Sequence, residues 1–456
     1  MDRHQSRKKS SRELALHILQ KIEQQGAYSN LLLHQTLARH ELERPDAALL
    51  TELVYGTLQR RNTLDYHLGK WLKKGTDRIE TWVLNLLRIS LYQILYLDRI
   101  PAHAIVNEAV NIAKRKGHRG ISSMVNGVLR NILRHQDQLA LPSDLHAAAR
   151  IALQHSHPEW LVSRWLEQFG EEQTEAMCEA NLEPPRVSAR INVMKTSVEQ
   201  MIEKMQEAGM QAEASAIAPS GIVVHSGGNL AHTPWHENGE LSIQDESSML
   251  PAQLLNPQPG MKVLDACAAP GGKTAQIAEM MNDEGEIWAN DVHEHKEKLI
   301  ASQAARLKLS SVKTSVCDAR KLHERHDAES FDCVLLDAPC SGFGVIRRKP
   351  DLKWSKKESE IAAIAEIQYE ILASVSRLVK PGGVLVYSTC TMERIENEKN
   401  IERFLTEQPG WQLDETGAEN LPQPVVSQCM TDAGFFQILP HHFGSDGFFM
   451  ARLKKS

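Results

Sequence analysis

Apolar residues recur at helical spacing over the first third of the chain. Leu14, Ile18, Leu19 and Ile22 form one stripe. Leu50, Leu53, Val54, Thr57 and Leu58 form a second, and Leu84, Leu87, Leu91, Ile94 and Leu95 a third. Helix is therefore predicted from Ser11 to about Arg134, with a restart at Pro101. A basic turn from Lys114 to Gly120 opens a further helix over 121–133. Its cations suit either phosphate contact or the dipole of a helix C-terminus. Residues 141–180 read as a helical connector containing His157-Pro158-Glu159-Trp160, closed by the break Asn181-Leu182-Glu183-Pro184-Pro185. A small α+β unit follows, with strands over 190–193 and 221–225, a helix over 197–208, and a strand approach over 239–242 into a capping run, Gln244 to Ser248.

From 261 onward the pattern changes to short apolar runs alternating with helices. Strands are predicted near 261–266, 286–291, 312–316, 332–337 and 383–388, with a helix over 359–379. The final apolar run, 447–453, predicts an antiparallel edge strand, and 420–445 reads as loop. The whole is a multidomain chain. An all-α N-terminal domain (1–140) and a helical connector (141–180) precede an α+β subdomain (181–250) and an α/β, Rossmann-like domain with a mostly parallel sheet (251–456).

Composition narrows the class. Hydrophobic residues are 42% and charged residues 24% of the 456, as in soluble globular proteins. Apolar runs fall short of the roughly 20 residues a membrane span needs, and the polar, basic N-terminus does not read as a secretory signal. Seven cysteines without a C-x-x-C pair predict neither a disulfide framework nor zinc, and reduced thiols suit the cytosol. The net charge of −6 is unevenly spread: residues 1–140 carry 22 Lys and Arg against 13 Asp and Glu, and the remainder 30 against 45. A basic segment on an acidic body points to a polyanionic partner.

Candidate chemistry gathers at the ends of the predicted parallel strands, where ligands bind in such sheets. Asp337-Ala338-Pro339-Cys340 and Ser388-Thr389-Cys390 each bring a thiol there. Val263 to Thr274 reads as strand, small-residue turn and helix. A phosphate-binding Walker loop is excluded, because its first glycine would fall at Cys267, and the dinucleotide G-x-G-x-x-G does not fit either. Asp291, 26 residues after Asp265, stands where a carboxylate accepts ribose hydroxyls, and Asp318 closes the third strand. Adenosine without a phosphate loop points to S-adenosylmethionine.

Three segments together, Asp265 to Thr274, Asp337 to Gly342 and Ser388-Thr389-Cys390, resemble the RNA 5-methylcytosine methyltransferase family over about 185–453. The helical N-terminus, with Ile121 to Arg130, resembles the NusB-like RNA-binding domain. The combination is similar to the bacterial 16S ribosomal RNA enzymes of the Sun/Fmu group. The resemblance implies methyl transfer to carbon 5 of a cytosine in 16S rRNA, free or in a small-subunit assembly intermediate, by a cytoplasmic monomer that acts on neither DNA nor membranes. It implies Cys390 as nucleophile, Asp337 holding the base at N3, and Cys340 assisting release. Cys267, Ala268, Ala269, Pro270, Gly271, Gly272 and Lys273 would line the methionine end of the cofactor, with Lys273 near its carboxylate, and Asp291, Asp318 and Asp337 would complete the pocket. The family also implies that Gln244, Asp245 and Ser248 lie near that pocket. DNA enzymes draw their nucleophile from a Pro-Cys pair, here Pro339-Cys340, and the residues alone leave both thiols open. Arg347 to Trp354 is expected to grip RNA. Cys178, Cys333 and Cys429 are expected to be buried apolar fillers. The alternatives are a methyltransferase for another structured RNA, such as tRNA, and a non-catalytic RNA-binding assembly factor.

Overall fold

The computed structural model describes residues 9–73, 75–226 and 228–456; most of the polar, basic N-terminus lies outside them. Two compact units emerge, one of Met1–Leu182 with Arg348–Lys356, the other of Glu183–Arg347 with Lys357–Ser456.

The first unit is helical. Its opening helix, Ser11–Gln25, begins with a reciprocal cap: Glu13 N donates to Ser10 Oγ at 3.3 Å and Ser10 N to Glu13 Oε2 at 3.0 Å. The helix Thr81–Tyr96 is buried continuously from Trp82 to Gln93. A guanidinium tolerates such burial only with anions around it, and Arg88 donates to Asp65 at 2.6 and 2.7 Å and to Glu23 at 2.7 Å. The basic turn falls in the last turn of Ala102–Lys116, and the next helix opens at Arg119, two residues earlier than predicted. Two of its cations serve the fold, Arg115 pairing with Glu13 at 2.8 Å and Lys116 donating to Gln20 at 2.8 Å.

Residues 348–356 correct the expectation of an RNA grip. A helix leaves its last carbonyls without intrahelical donors. At the end of Arg44–Gln59, Trp354 Nε1 donates to the Leu58 carbonyl at 2.7 Å and Lys353 Nζ to that of Gln59 at 3.0 Å. Ser29 also donates to Asp351. Lys353 is fully buried, and burial lowers its ammonium's titration to about 7. Arg347 belongs to the second unit and donates to the carbonyls of Gly444 and Pro440 at 2.6 and 2.8 Å. The stretch thus completes the fold at both ends.

The second unit holds two sheets. The smaller has strands β1 (Val187–Ile191), β2 (Gln211–Ala214), β3 (Gly221–Ser226) and β4 (Leu241–Ile243), in the antiparallel order β2-β3-β1-β4. The larger has β5 (Lys262–Asp265), β6 (Glu286–Asp291), β7 (Val312–Val316), β8 (Phe331–Asp337), β9 (Val379–Thr389), β10 (Trp411–Leu413), β11 (Phe436–Ile438) and β12 (Phe448–Lys455). Its order is β10-β12-β9-β8-β5-β6-β7, with β11 on β12. The strands β5 to β9 are parallel; β12 pairs antiparallel with β9, and β10 and β11 each pair antiparallel with β12. Period-two alternation sends Val263, Leu335 and Val386 into one core and Leu264, Leu336 and Tyr387 into another.

Three expectations change here. The strand β12 is not an edge, since β10 and β11 cover its outer side; its run of Phe448, Phe449 and Met450 is too apolar to stay open. The helix predicted to reach 379 ends at Val375, and β9 starts at Val379. A register shift lets Pro381-Gly382-Gly383 bulge within that strand; Gly382 has φ 74°, and a Cβ on Gly383 would meet the Asp332 carbonyl at 2.8 Å. The predicted loop 420–445 contains the helix Gln423–Cys429 and β11, both too short to show a period. Among the described residues no helix is long and apolar enough to cross a membrane.

Candidate active site at the carboxyl edge of the sheet

Five parallel strands deliver the predicted residues to one edge. Asp265 ends β5, Asp291 ends β6, Asp318 follows β7, Asp337 ends β8 and Cys390 follows β9. The loop Ala266–Gly271 then turns into the helix Gly272–Met280. Gly271 is required there: its φ is 103°, and a Cβ would meet Ile300 Cα at 3.1 Å. Asn290 braces the loop, donating to the carbonyls of Ala266 and Cys317 at 3.1 and 2.9 Å. Asp265 itself lies behind the loop. It accepts from Thr274 Oγ1 at 2.6 Å, its Oδ1 has no hydrogen-bond partner among the described residues, and burial raises its titration to about 7. Burial also pushes the Cys267 thiol up.

At the centre the two sulfurs Cys340 Sγ and Cys390 Sγ stand 3.4 Å apart. Lys273 Nζ donates to Asp337 Oδ2 at 2.7 Å, and Ser388 Oγ donates to Asp337 Oδ1 at 2.9 Å. Burial works against the Lys273 ammonium, but the charges of Asp337 and Cys390 override it and raise its titration. The Cys340 thiol is pushed well up, first by its hydrogen bond to Cys390, then by burial, then by the charges of Cys390 and Glu396. The two sulfurs thus differ in surroundings: burial and the Glu396 charge disfavour a thiolate on Cys340, and the Lys273 ammonium is charge-coupled to Cys390.

The acids around the loop differ in availability. Asp291 is buried, accepts from His293 N at 3.1 Å, and has Lys296 Nζ 3.8 Å away. Asp318 is committed to Arg320 by contacts of 2.6 to 3.1 Å, and that hydrogen bonding draws its titration down. Gln244 donates to the Ser248 carbonyl at 3.0 Å and accepts from Arg190, which pairs with Glu279 at 2.9 Å. Asp245 caps the helix Glu246–Leu255. Cys178, Cys333 and Cys429 are buried and free.

Sequence reasoning missed a polar layer behind the thiols. Ser341 N and Gln368 Nε2 both donate to Glu396 Oε2, at 2.9 and 2.8 Å, and Gln368 Nε2 also reaches the Pro339 carbonyl at 2.8 Å. Thr389 donates to Asn397 at 2.6 Å, and Ser341 Oγ meets Thr391 Oγ1 at 2.7 Å. The signal was present as Glu393, Glu396, Asn397 and Glu398 just after Cys390, but such a run normally lies on a solvated face. Gly344 is also fixed here, since a Cβ would meet the Cys390 carbonyl at 2.7 Å.

On the helical unit a cavity of about 340 Å³ is lined by Lys9, His17, Lys21, Arg39 and His40 among others. The His17 imidazole is held down by burial and then by Lys21, Lys9 and Lys116.

Three family models match the chain: 16S rRNA methyltransferase RsmB/F over residues 252–454, the NusB family over 9–134, and an RsmF/B-like ferredoxin-like domain over 157–231. A relative described as probable ribosomal RNA small subunit methyltransferase B, from Bacillus subtilis (strain 168), is 46% identical, covering 98% of this chain and 99% of its own. A relative of the same description from Synechocystis is 37% identical, covering 98% of this chain and all of its own. Among solved structures, PH0851 superposes with a TM-score of 0.81 at 28% identity over 97% of each chain. A methyltransferase homolog from Pyrococcus horikoshii gives a TM-score of 0.59 at 27% identity, covering 68% of this chain and 100% of its own.

Proposed function

The chain belongs to the 16S rRNA methyltransferase RsmB/F family, and on that premise we propose that it methylates carbon 5 of a cytosine in 16S ribosomal RNA through a covalent adduct between Cys390 and C6. The methyl donor is S-adenosylmethionine, which supplies an electrophilic methyl on a sulfonium. The donor set suits it: small residues Ala268, Ala269 and Gly271 leave backbone open, Lys273 offers a cation for a carboxylate, and Asp291 offers an acceptor for ribose hydroxyls. Asp318 serves the adenine end only by giving up part of its pairing with Arg320.

One observation carries the reading: two thiols in contact, at 3.4 Å, beside the Lys273–Asp337 pair. C5 of cytosine is a poor nucleophile. Attack of the Cys390 thiolate at C6 makes an enamine whose C5 is nucleophilic, and thiolate is the suitable attacker at modest basicity. The attack drives an electron pair toward N3, which takes a proton from solvent; Asp337, held between Lys273 and Ser388, accepts the hydrogen bond of that N3–H and stabilises the adduct. Once Cys390 bonds to carbon, it no longer holds the proton on Cys340. Cys340 then gives that proton to solvent and, as a thiolate, takes the one leaving C5. The C5–H pair closes the C5–C6 double bond, and the C6–S pair returns to Cys390. The base must be flipped from its stack to be reached. The cluster around Lys21, Arg39 and Lys116 supplies cations for the RNA backbone, and the protein works in the cytoplasm.

The test uses the full chain, labelled S-adenosylmethionine and small-subunit RNA lacking the modification. The native chain incorporates label at C5. Cys390→Ala incorporates none, and Cys340→Ala accumulates a protein–RNA adduct stable on a denaturing gel. An adduct with Cys390→Ala instead reverses the assignment of the thiols. No incorporation onto any RNA preparation favours an assembly factor without activity.

A further inference from the structure

The mechanism leaves unused a buried acid beside the Cys340 turn. Glu396 follows Cys390 by six residues, is fully buried, and reaches back to the other thiol's turn. Its Oε2 accepts from Ser341 N at 2.9 Å, directly after Cys340, and from Gln368 Nε2 at 2.8 Å. Gln368 in turn holds the Pro339 carbonyl, directly before Cys340, at 2.8 Å. The Pro339–Ser341 turn is thus clamped on both sides through one carboxyl group. Among the described residues the other oxygen, Oε1, has no hydrogen-bond partner, and no cation pairs with Glu396. A structural carboxylate at such depth would ordinarily have a counter-ion.

We propose that Glu396 is a positioning residue for Cys340: it anchors the turn and, as an anion without a counter-ion, keeps the proton on that sulfur, so that Cys390 alone supplies the attacking thiolate. The idea rests on the assignment of Cys390 as nucleophile and Cys340 as the release residue. It explains how two touching thiols of the same kind acquire different roles. Lys273 is charge-coupled to Cys390 and Glu396 to Cys340, so charges of opposite sign act on the two sulfurs. The groups that hydrogen-bond Glu396 do not cancel this. Tyr387 donates to its backbone carbonyl at 2.6 Å, Asn400 and Gln368 are neutral, and Glu393 adds a further negative charge. Burial raises the titration of Glu396 to about 7, so its charge is gained across the neutral range.

The experiment needs no RNA. Intact enzyme is alkylated with iodoacetamide from pH 6 to 10, and modification of Cys340 and Cys390 is followed separately by peptide mass spectrometry. Glu396→Gln keeps an acceptor oxygen for Ser341 and removes the charge. The Cys340 profile is expected to move down by roughly one pH unit, a several-fold faster reaction at pH 8, with Cys390 shifted less. Coincident Cys340 profiles in Glu396→Gln and the native enzyme overturn the proposal. Gln368→Met loosens the turn but leaves the charge, and circular dichroism verifies its fold. It should leave Cys340 alkylation nearer the native profile than Glu396→Gln does. An equal shift in both variants makes turn geometry the cause and overturns the charge argument. Failure here stays separate from failure of the mechanism, which the adduct assays on Cys340→Ala and Cys390→Ala report independently.

Discussion

Asp337 and Asp265 end neighbouring parallel strands, yet they have different consequences. Asp337 sits between Lys273 and Ser388 at the carboxyl edge of the sheet, beside the two thiols. Asp337→Asn is expected to cost at least about a hundredfold in methyl transfer, the usual scale for a positioned acid or base. Its melting temperature should change little, because the residue is partly exposed. A loss of activity explained by unfolding would refute the role. Asp265 is fully buried, and its folded-state titration of about 7 lies above the unfolded value. The folded protein therefore binds more protons than the unfolded chain between about pH 4 and 7, and stability from this group falls as pH rises through that window. The difference in melting temperature between the native chain and Asp265→Asn should shift against the native chain from pH 4 to 7. A constant difference would exclude this account. The thiols and strand-end acids were legible because strand, small-residue turn and helix recur with fixed chemistry. Glu396 and Gln368 were not, because nothing in a run of acids says that its carboxylates turn inward, and Gln368 lies in a helix whose register alone gives no partner.

Elements were legible where the apolar period was long. The helices of the first unit and the strands β5 to β8 fall close to their predicted bounds. Failures cluster where three or four residues decide the outcome, at the Pro381-Gly382-Gly383 bulge, in β11, and in the peptide 348–356. That last peptide misled by composition. Its lysine and tryptophan look like an RNA contact, but they close the open carbonyls of a helix C-terminus. Lys353 makes this testable. Its titration, near 7 in the folded state, lies below the unfolded value, so stability from this group rises with pH between about 7 and 10 and is lost as pH falls toward 7. The melting temperature of the native chain minus that of Lys353→Met should increase over that range. A difference independent of pH would mean that the ammonium is solvated.

Over the molecule as a whole, charge separates by unit. Surplus cations of the N-terminal segment collect near Lys9, Lys21, Arg39 and Lys116, while the chain carries −6 overall. Reversing Lys21, Arg39 and Lys116 together to glutamate should weaken binding to small-subunit RNA. It should also flatten the dependence of log affinity on log salt by about 0.7 to 0.9 for each phosphate no longer neutralised. Filter binding at several salt concentrations measures both, and an unchanged slope would place the RNA elsewhere. The peptide 348–356 has a separate implication for anyone who would cut or transplant this protein. A gene fragment starting at Glu183 encodes both sulfurs, the small-residue loop 266–271 and all the strand-end acids. It also encodes Leu352, Lys353 and Trp354 with no receptor for them, because the carbonyls of Leu58 and Gln59 stay behind. Evolutionary exchange or laboratory grafting of the helical portion must therefore replace nine residues far downstream as well, and the boundary of inheritance is not the boundary drawn along the chain.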